Sequence, residues 1–191
     1  METEHRTAQE GFALLITLII VSVLLAVGLS LLNITLKQFT LSSTARESEL
    51  AFHVANAGLE CMQYHRTVPA TRTILLNEDG NPSADAPTLS CTGRYQIYAA
   101  SNHQNLSDSR VAYNYIYRYD IDGEQCIEAS MHLLDARESG SGITRTVNEG
   151  FETISCPAGV LCTTIFSRGF NRGCSDLSSL RTVQREITIE F

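Results

Sequence analysis

Residues 12–32, FALLITLIIVSVLLAVGLSLL, decide how the rest of this chain is read. The run from Phe12 to Leu32 holds 21 residues without a charge, and only Thr17, Ser22 and Ser30 are polar. As a helix rising about 1.5 Å per residue it spans roughly 31 Å, the thickness of a bilayer's hydrocarbon core. Such a run argues against a purely cytosolic soluble protein. The 191-residue chain carries 14 Lys+Arg against 21 Asp+Glu, a net charge of −7, and Lys37 is its one lysine. A nucleic-acid-binding surface needs clustered basic residues, so no nucleic-acid partner is expected.

Three readings of the apolar run compete. A cleaved secretory signal needs a short apolar stretch and a small-residue cleavage site. Ala26-Val27-Gly28 offers such a site, yet the apolar pattern continues past it through Leu29, Leu31, Leu32, Ile34 and Leu36. A plain transmembrane anchor fits the length, but His5 and Arg6 on one side and Lys37 and Arg46 on the other do not set its orientation. The third reading explains the boundary. A charged leader, Met1–Glu10, ends in Gly11, and the apolar run begins at once with Phe12.

Gln9-Glu10-Gly11-Phe12 followed by about twenty apolar residues resembles the processing site of the type IV prepilin family. The resemblance implies a leader at 1–11, removed between Gly11 and Phe12 by prepilin peptidase, with N-methylation of Phe12. Glycine at that place lets a protease approach the backbone closely. It also implies partners: other pilin subunits, major and minor, met through the N-terminal helix, and the inner-membrane assembly platform. Membrane lipid would surround the helix before assembly. The implied location is the cytoplasmic membrane first and a cell-surface pilus afterwards.

One position departs from the main pilin pattern. Major pilins carry a glutamate as the fifth mature residue, and Ile16 stands there. A carboxylate at the centre of a membrane helix costs on the order of 3 kcal/mol and needs a partner. In this family the partner is the N-terminal amine of the adjacent subunit. The absence resembles PilX-type minor pilins and the tip minor pseudopilin of type II secretion. The expected function is a minor structural subunit at or near a filament tip, initiating assembly or displaying its head. A minor pseudopilin and a single-span anchored binding protein remain the alternatives.

No proline occurs between Phe12 and Val68, and after Lys37 a helical period appears. Glu49, His53, Asn56, Glu60 and Gln63 form a polar stripe, while Leu50, Val54, Ala57, Gly58 and Cys61 mark the other face. Ala45–Glu60, with its charges and alanines, also resembles the PilX N-terminal region. Pro69 ends the pattern. The organisation expected is a transmembrane and filament-core half-helix at 12–36, an amphipathic half at 37–68 and a head at 69–191. His53 and His65 are too far apart on a helix to share a metal, and each reads as solvated or capping.

Beyond Pro69 the period changes to two. Arg94–Ala100, Val111–Tyr119, Cys126–Leu134, Ile143–Ile154 and Val183–Phe191 read as strands, and Asp122-Gly123 as a hairpin turn. The fold class expected is α+β, a long helix packed on an antiparallel sheet of four or five strands. The alternate tyrosines of Val111–Tyr119 read as sheet packing with a wet phenol tip. Ser139–Gly142 reads as a loop, Ser167–Gly173 as an exposed loop, and Asp120 and Asp122 as solvated charges at a hairpin tip. Asn77–Asp85 has the oxygen-rich look of a calcium loop but lacks the placed glycine and terminal glutamate.

All six cysteines, Cys61, Cys91, Cys126, Cys156, Cys162 and Cys174, follow the apolar run. In an exported head they are expected as disulfides, although six cysteines allow fifteen pairings and spacing alone leaves the choice open. The pairing taken forward is Cys61–Cys91, Cys126–Cys174 and Cys156–Cys162. The Cys156–Cys162 spacing is too wide for the usual zinc pattern, and no pair has redox spacing. No hydrolase, phosphate-loop or metalloprotease pattern occurs, so no catalytic residue, metal or cofactor is expected.

Overall fold

The computed structural model describes residues 4–68, 76, 80–83, 85–91, 94–95, 98–106, 111–147 and 152–191, with side chains from 12 onward except at 94–105. Among the described residues, one helix, α1 (Glu4–Thr67), is followed by nine strands. These are β1 (Ser90–Cys91), β2 (Arg94–Tyr95), β3 (Tyr98–Asn105), β4 (Val111–Ile121) and β5 (Gln125–Asp135), then β6 (Ile143–Val147), β7 (Glu152–Cys156), β8 (Leu161–Phe170) and β9 (Gln184–Glu190). The class is α+β. Two compact units divide the chain, Met1–Arg46 and Glu47–Phe191.

Residues 4–46 form a continuous helix because the segment is leucine-rich and contains no proline. Several of its hydroxyl side chains bond to the helix's own backbone, Thr17 to the Leu14 carbonyl at 2.8 Å and Thr35 to the Leu31 carbonyl at 2.9 Å. The helix closes where the Val68 N–H donates to the Tyr64 carbonyl at 3.0 Å. Pro69 follows, and the residue before a proline is pushed out of the helical region.

The second unit is layered. β3-β4-β5-β8-β9 form an antiparallel five-stranded sheet, and β1-β2 and β6-β7 form separate two-stranded pairs. Residues on alternate positions share a face. Tyr115, Tyr117 and Tyr119 of β4, Ile127, Ala129, Met131 and Leu133 of β5, and Ile165 of β8 make the face that buries Val54, Leu59 and Met62 of α1. The opposite face carries Ala112, Leu134 and Phe166, and the β6–β7 hairpin covers it with Ile143, Val147, Ile154 and Cys156. At about 25 cal/mol per Å² of apolar surface, two such interfaces are what hold the layers together.

Helix and sheet approach closely at two glycines. A Cβ at Gly169 of β8 would overlap the Ala51 carbonyl and the Ala55 amide of α1, and one at Gly58 would overlap Ser167 and Ile127. Glycine is required at Gly169 because the obstacle is backbone, which cannot swing aside. The β4–β5 turn is sharp for a different reason. Asp122 (φ 52°) and Gly123 (φ 76°) are both left-handed, as the tight hairpin turn demands.

Several expectations are corrected. The first part of Ser167–Gly173 is not an exposed loop: Ser167, Gly169 and Phe170 are buried in β8, whose partner strands flank it on both sides, and only Asn171–Gly173, half-buried, belong to the connection that follows. The segment reads as loop because its small and charged residues hide the alternation. Ile143–Ile154 is two strands, β6 and the start of β7, paired with each other. Arg94–Ala100 is divided between β2 and β3, which belong to different sheets. Leu50 is exposed, and the buried stripe of α1 runs instead through Ala51, Val54, Ala55, Gly58, Leu59 and Met62. His65 is buried rather than solvated, with its Nε2 3.0 Å from the Ser90 carbonyl. Tyr115 and Tyr117 are buried with protein partners in place of water: Tyr117 donates to the Pro87 carbonyl at 2.8 Å and Tyr115 to the Ser83 carbonyl. Asn77–Glu78–Asp79 and Ala84 of the calcium-like loop lie outside the described residues, as do Pro69 and the head's first residues to 75.

Candidate functional site

Two surfaces concentrate the chemistry of this chain: the apolar half of α1 and the outer parts of the sheet. From Phe12 to Arg46 every residue of the helix is exposed, including Phe12 at 66% and Ile16 at 40%. Gly11 lies in helical backbone, one residue before the described side chains begin. This helix is long and apolar enough to cross a membrane. Among its hydroxyls, Thr17, Thr35 and Ser22 have internal partners, the last on the Ile19 carbonyl at 2.8 Å. In a bilayer that matters, because an unsatisfied polar group in hydrocarbon costs several kcal/mol. Lys37 is the first cation after the run, where an interfacial anchor belongs.

Three disulfides brace the second unit: Cys61–Cys91, Cys126–Cys174 and Cys156–Cys162, the pairing taken forward from the sequence. Cys61–Cys91 ties the end of α1 to the segment that caps the tyrosines. Cys126–Cys174 pins the β8–β9 connection to β5, and the Asp120 carboxylate accepts the Cys174 N–H at 2.6 Å. Asp120 is therefore a bracket for that connection rather than a solvated hairpin charge. Cys156–Cys162 joins β7 to β8.

Among the described residues, two groups bring cysteine sulfur near other ligand types: Cys61, His65 and Cys91, and Asp120, Cys126 and Cys174. In each the two sulfurs are bonded to one another, and a disulfide sulfur is not the thiolate a metal needs. His53 stays exposed beside Glu49 at 3.8 Å. His132 sits on the face under the β6–β7 hairpin, edge-on to Phe166 with ring centroids 5.4 Å apart. Burial, with Arg145 adding to it, lowers its pKa to about 4, so it is neutral at ordinary pH.

A shallow cleft of about 420 Å³ lies between the beginning of the buried helix, the β4–β5 turn and the 171–176 segment. Glu47, Glu124 and Asp176 line it with Arg172, whose guanidinium is 3.6 Å from Asp176. No nucleophile in it stands against a base, so its charges read as a solvated rim.

The far face of the sheet carries a feature that periodicity does not reveal. Arg118, Glu128, Arg168 and Glu186 stand directly opposite one another on β4, β5, β8 and β9. Glu128 accepts from Arg118 and, at 3.2 Å, from Arg168, which also donates to Glu186. The four residues lie up to 68 positions apart in sequence, and only strand order brings them into one line. Comparisons with protein-family models, curated proteins and solved structures return no match to this chain.

Proposed function

We propose that this chain is a minor pilin-like structural subunit, processed between Gly11 and Phe12 and built into a surface filament through its apolar helix. The observation that carries the reading is the join of two different surfaces on one unbroken helix. Residues 12–46 leave their apolar side chains exposed, and from Ala51 onward one stripe of the same helix is buried on an antiparallel sheet. An exposed leucine-rich helix is stable only in lipid or against other apolar helices. Bilayer and filament core supply those two environments in turn.

Ile16 sharpens the role. A subunit at the extreme tip has no neighbour above it, so a glutamate there would stay uncompensated in an apolar setting. Isoleucine removes that cost and contributes packing. The subunit therefore initiates or caps the filament, and its braced head is the part presented outward.

The test is the cut. Intact mass of the membrane-extracted protein should correspond to a chain beginning at methylated Phe12. Gly11→Leu should retain the leader, because a bulky side chain blocks the protease's approach to the backbone. A processed mass for that variant would defeat the reading. Gold-labelled antibody should mark one filament end in low number; regular label along the shaft would remove the tip assignment.

A further inference from the structure

β9 is the outer strand of the five-stranded sheet, and every residue of it is exposed except the half-buried Ile187 and Ile189. Its bonds to β8 fall on alternate residues. Phe191 exchanges both backbone bonds with Thr163, at 2.8 and 3.1 Å, and the Val183 carbonyl accepts from the Asn171 N–H at 3.2 Å. In an antiparallel ladder of that register the residues between them that face β8 are Arg185, Ile187 and Ile189. The N–H and C=O groups of Gln184, Glu186, Thr188 and Glu190 therefore point to the open side. Proteins blunt such an edge with a proline, a bulge, a cover or charged side chains, and of these β9 has the charges, with Arg185, Glu186 and Glu190 exposed. β9 has no proline, and its register with β8 runs unbroken from Gln184 to Glu190.

A second observation gives the edge a chemical preference. The line Arg118, Glu128, Arg168, Glu186 alternates in sign with each successive strand and stops at Glu186, on the open edge. The next strand in that series would place a cation beside Glu186. Four residues along the same face, Glu190 is exposed. On the other face the edge offers the half-buried Ile187 and Ile189.

We propose that the β9 edge receives an extended strand of another protein, with basic residues opposite Glu186 and Glu190 and apolar residues beside Ile187 and Ile189. Main-chain bonds supply the affinity of such strand addition, and the alternating side chains set its register. A second copy of β9 fits less well. The register centred on Thr188 opposes Glu186 to Glu190, and like charges across strands repel. The register centred on Ile187 sets Arg185 against Ile189. The opposite sheet edge, β3, contains no lysine or arginine, so a head-to-tail copy does not supply the cations.

The experiment uses the full chain in detergent micelles and two capped fluorescent peptides. One is Thr-Val-Lys-Val-Thr-Val-Lys-Val-Thr; the other replaces both lysines by glutamate. The lysine peptide should bind at least about tenfold more tightly, the loss expected when opposed charges become like charges. Thr188→Pro should abolish binding, because a proline there removes a donor aimed outward and leaves the β8 ladder intact. Glu186→Lys should abolish the preference between the peptides, because each then meets one opposed and one like charge, and adding Glu190→Lys should reverse it; these variants decide the matter if Thr188→Pro fails to fold. Equal affinity of the unmodified chain for both peptides, no binding by that chain, or binding unaffected by the variants would overturn the proposal. So would a dimer of the full chain that Thr188→Pro dissociates, since the occupant would then be a second copy.

Discussion

Ser167 lies 112 residues beyond Ala55, and its hydroxyl donates to the Ala55 carbonyl at 2.7 Å inside the contact between α1 and β8. Both residues are fully buried. The bond exists because Gly169 and Gly58 let helix and strand backbones come close enough for a short hydroxyl to bridge them.

That contact yields an ordered set of stabilities. Gly169→Ala forces a methyl against helix backbone and should cost about 3 kcal/mol, at the overpacked end of core substitutions. Gly58→Ala meets only side chains and gains about 1 kcal/mol of helix propensity, so its net cost should be smaller. Ser167→Ala should cost about 1 kcal/mol for the lost bond. Urea midpoints of the full chain, followed by near-ultraviolet dichroism of the tyrosines, give the ranking. Gly58→Ala costing more than Gly169→Ala would contradict the geometry.

The disulfides should differ by the loops they close. Cys61–Cys91 and Cys126–Cys174 span 30 and 48 residues and should each contribute about 4 kcal/mol, while Cys156–Cys162, spanning 6, should contribute about 2. Paired Cys→Ser variants and thermal unfolding test the order. Alkylation under denaturing, non-reducing conditions should label no cysteine.

Stability should fall in mild acid through His132. Its folded pKa, about 4, lies below the unbound value of 6.5. Above pH 6.5 both states are neutral and nothing is lost. Between pH 6.5 and 4 the unfolded chain takes up a proton that the folded chain refuses, so about 3 kcal/mol is lost across that window. His132→Gln should flatten the fall relative to the parent chain. Parallel slopes for the two would show that the imidazole is not the group responsible.

Glu128 holds two arginines at once, and its side chain is 17% exposed. Glu128→Gln should cost about 1–2 kcal/mol, since it removes the charge from two charge-assisted bonds that are only partly screened by solvent. Arg118→Gln, at the more exposed end, should cost less than 1 kcal/mol. Equal costs would mean that the four residues do not act as a line.

The sequence carried the one-dimensional part of this protein. An uncharged run of 21 residues, the missing prolines and a period-two pattern with turn residues determine a long helix followed by antiparallel strands, because each depends only on neighbours along the chain. The cysteine count, too, is legible without coordinates. What tertiary structure decided is everything that depends on which strands lie side by side. The end of β8 does not read as a strand because Ser167 and Gly169 face the helix: a strand position pressed against helix backbone must be small, and small residues imitate a loop. Leu50 and Ala51 exchanged places for a similar reason, since burial on a tightly apposed helix face selects for size before hydrophobicity. The line from Arg118 to Glu186 and the open side of β9 are invisible in any window of sequence, because strand order and register alone bring distant charges into one row and leave one edge unpaired.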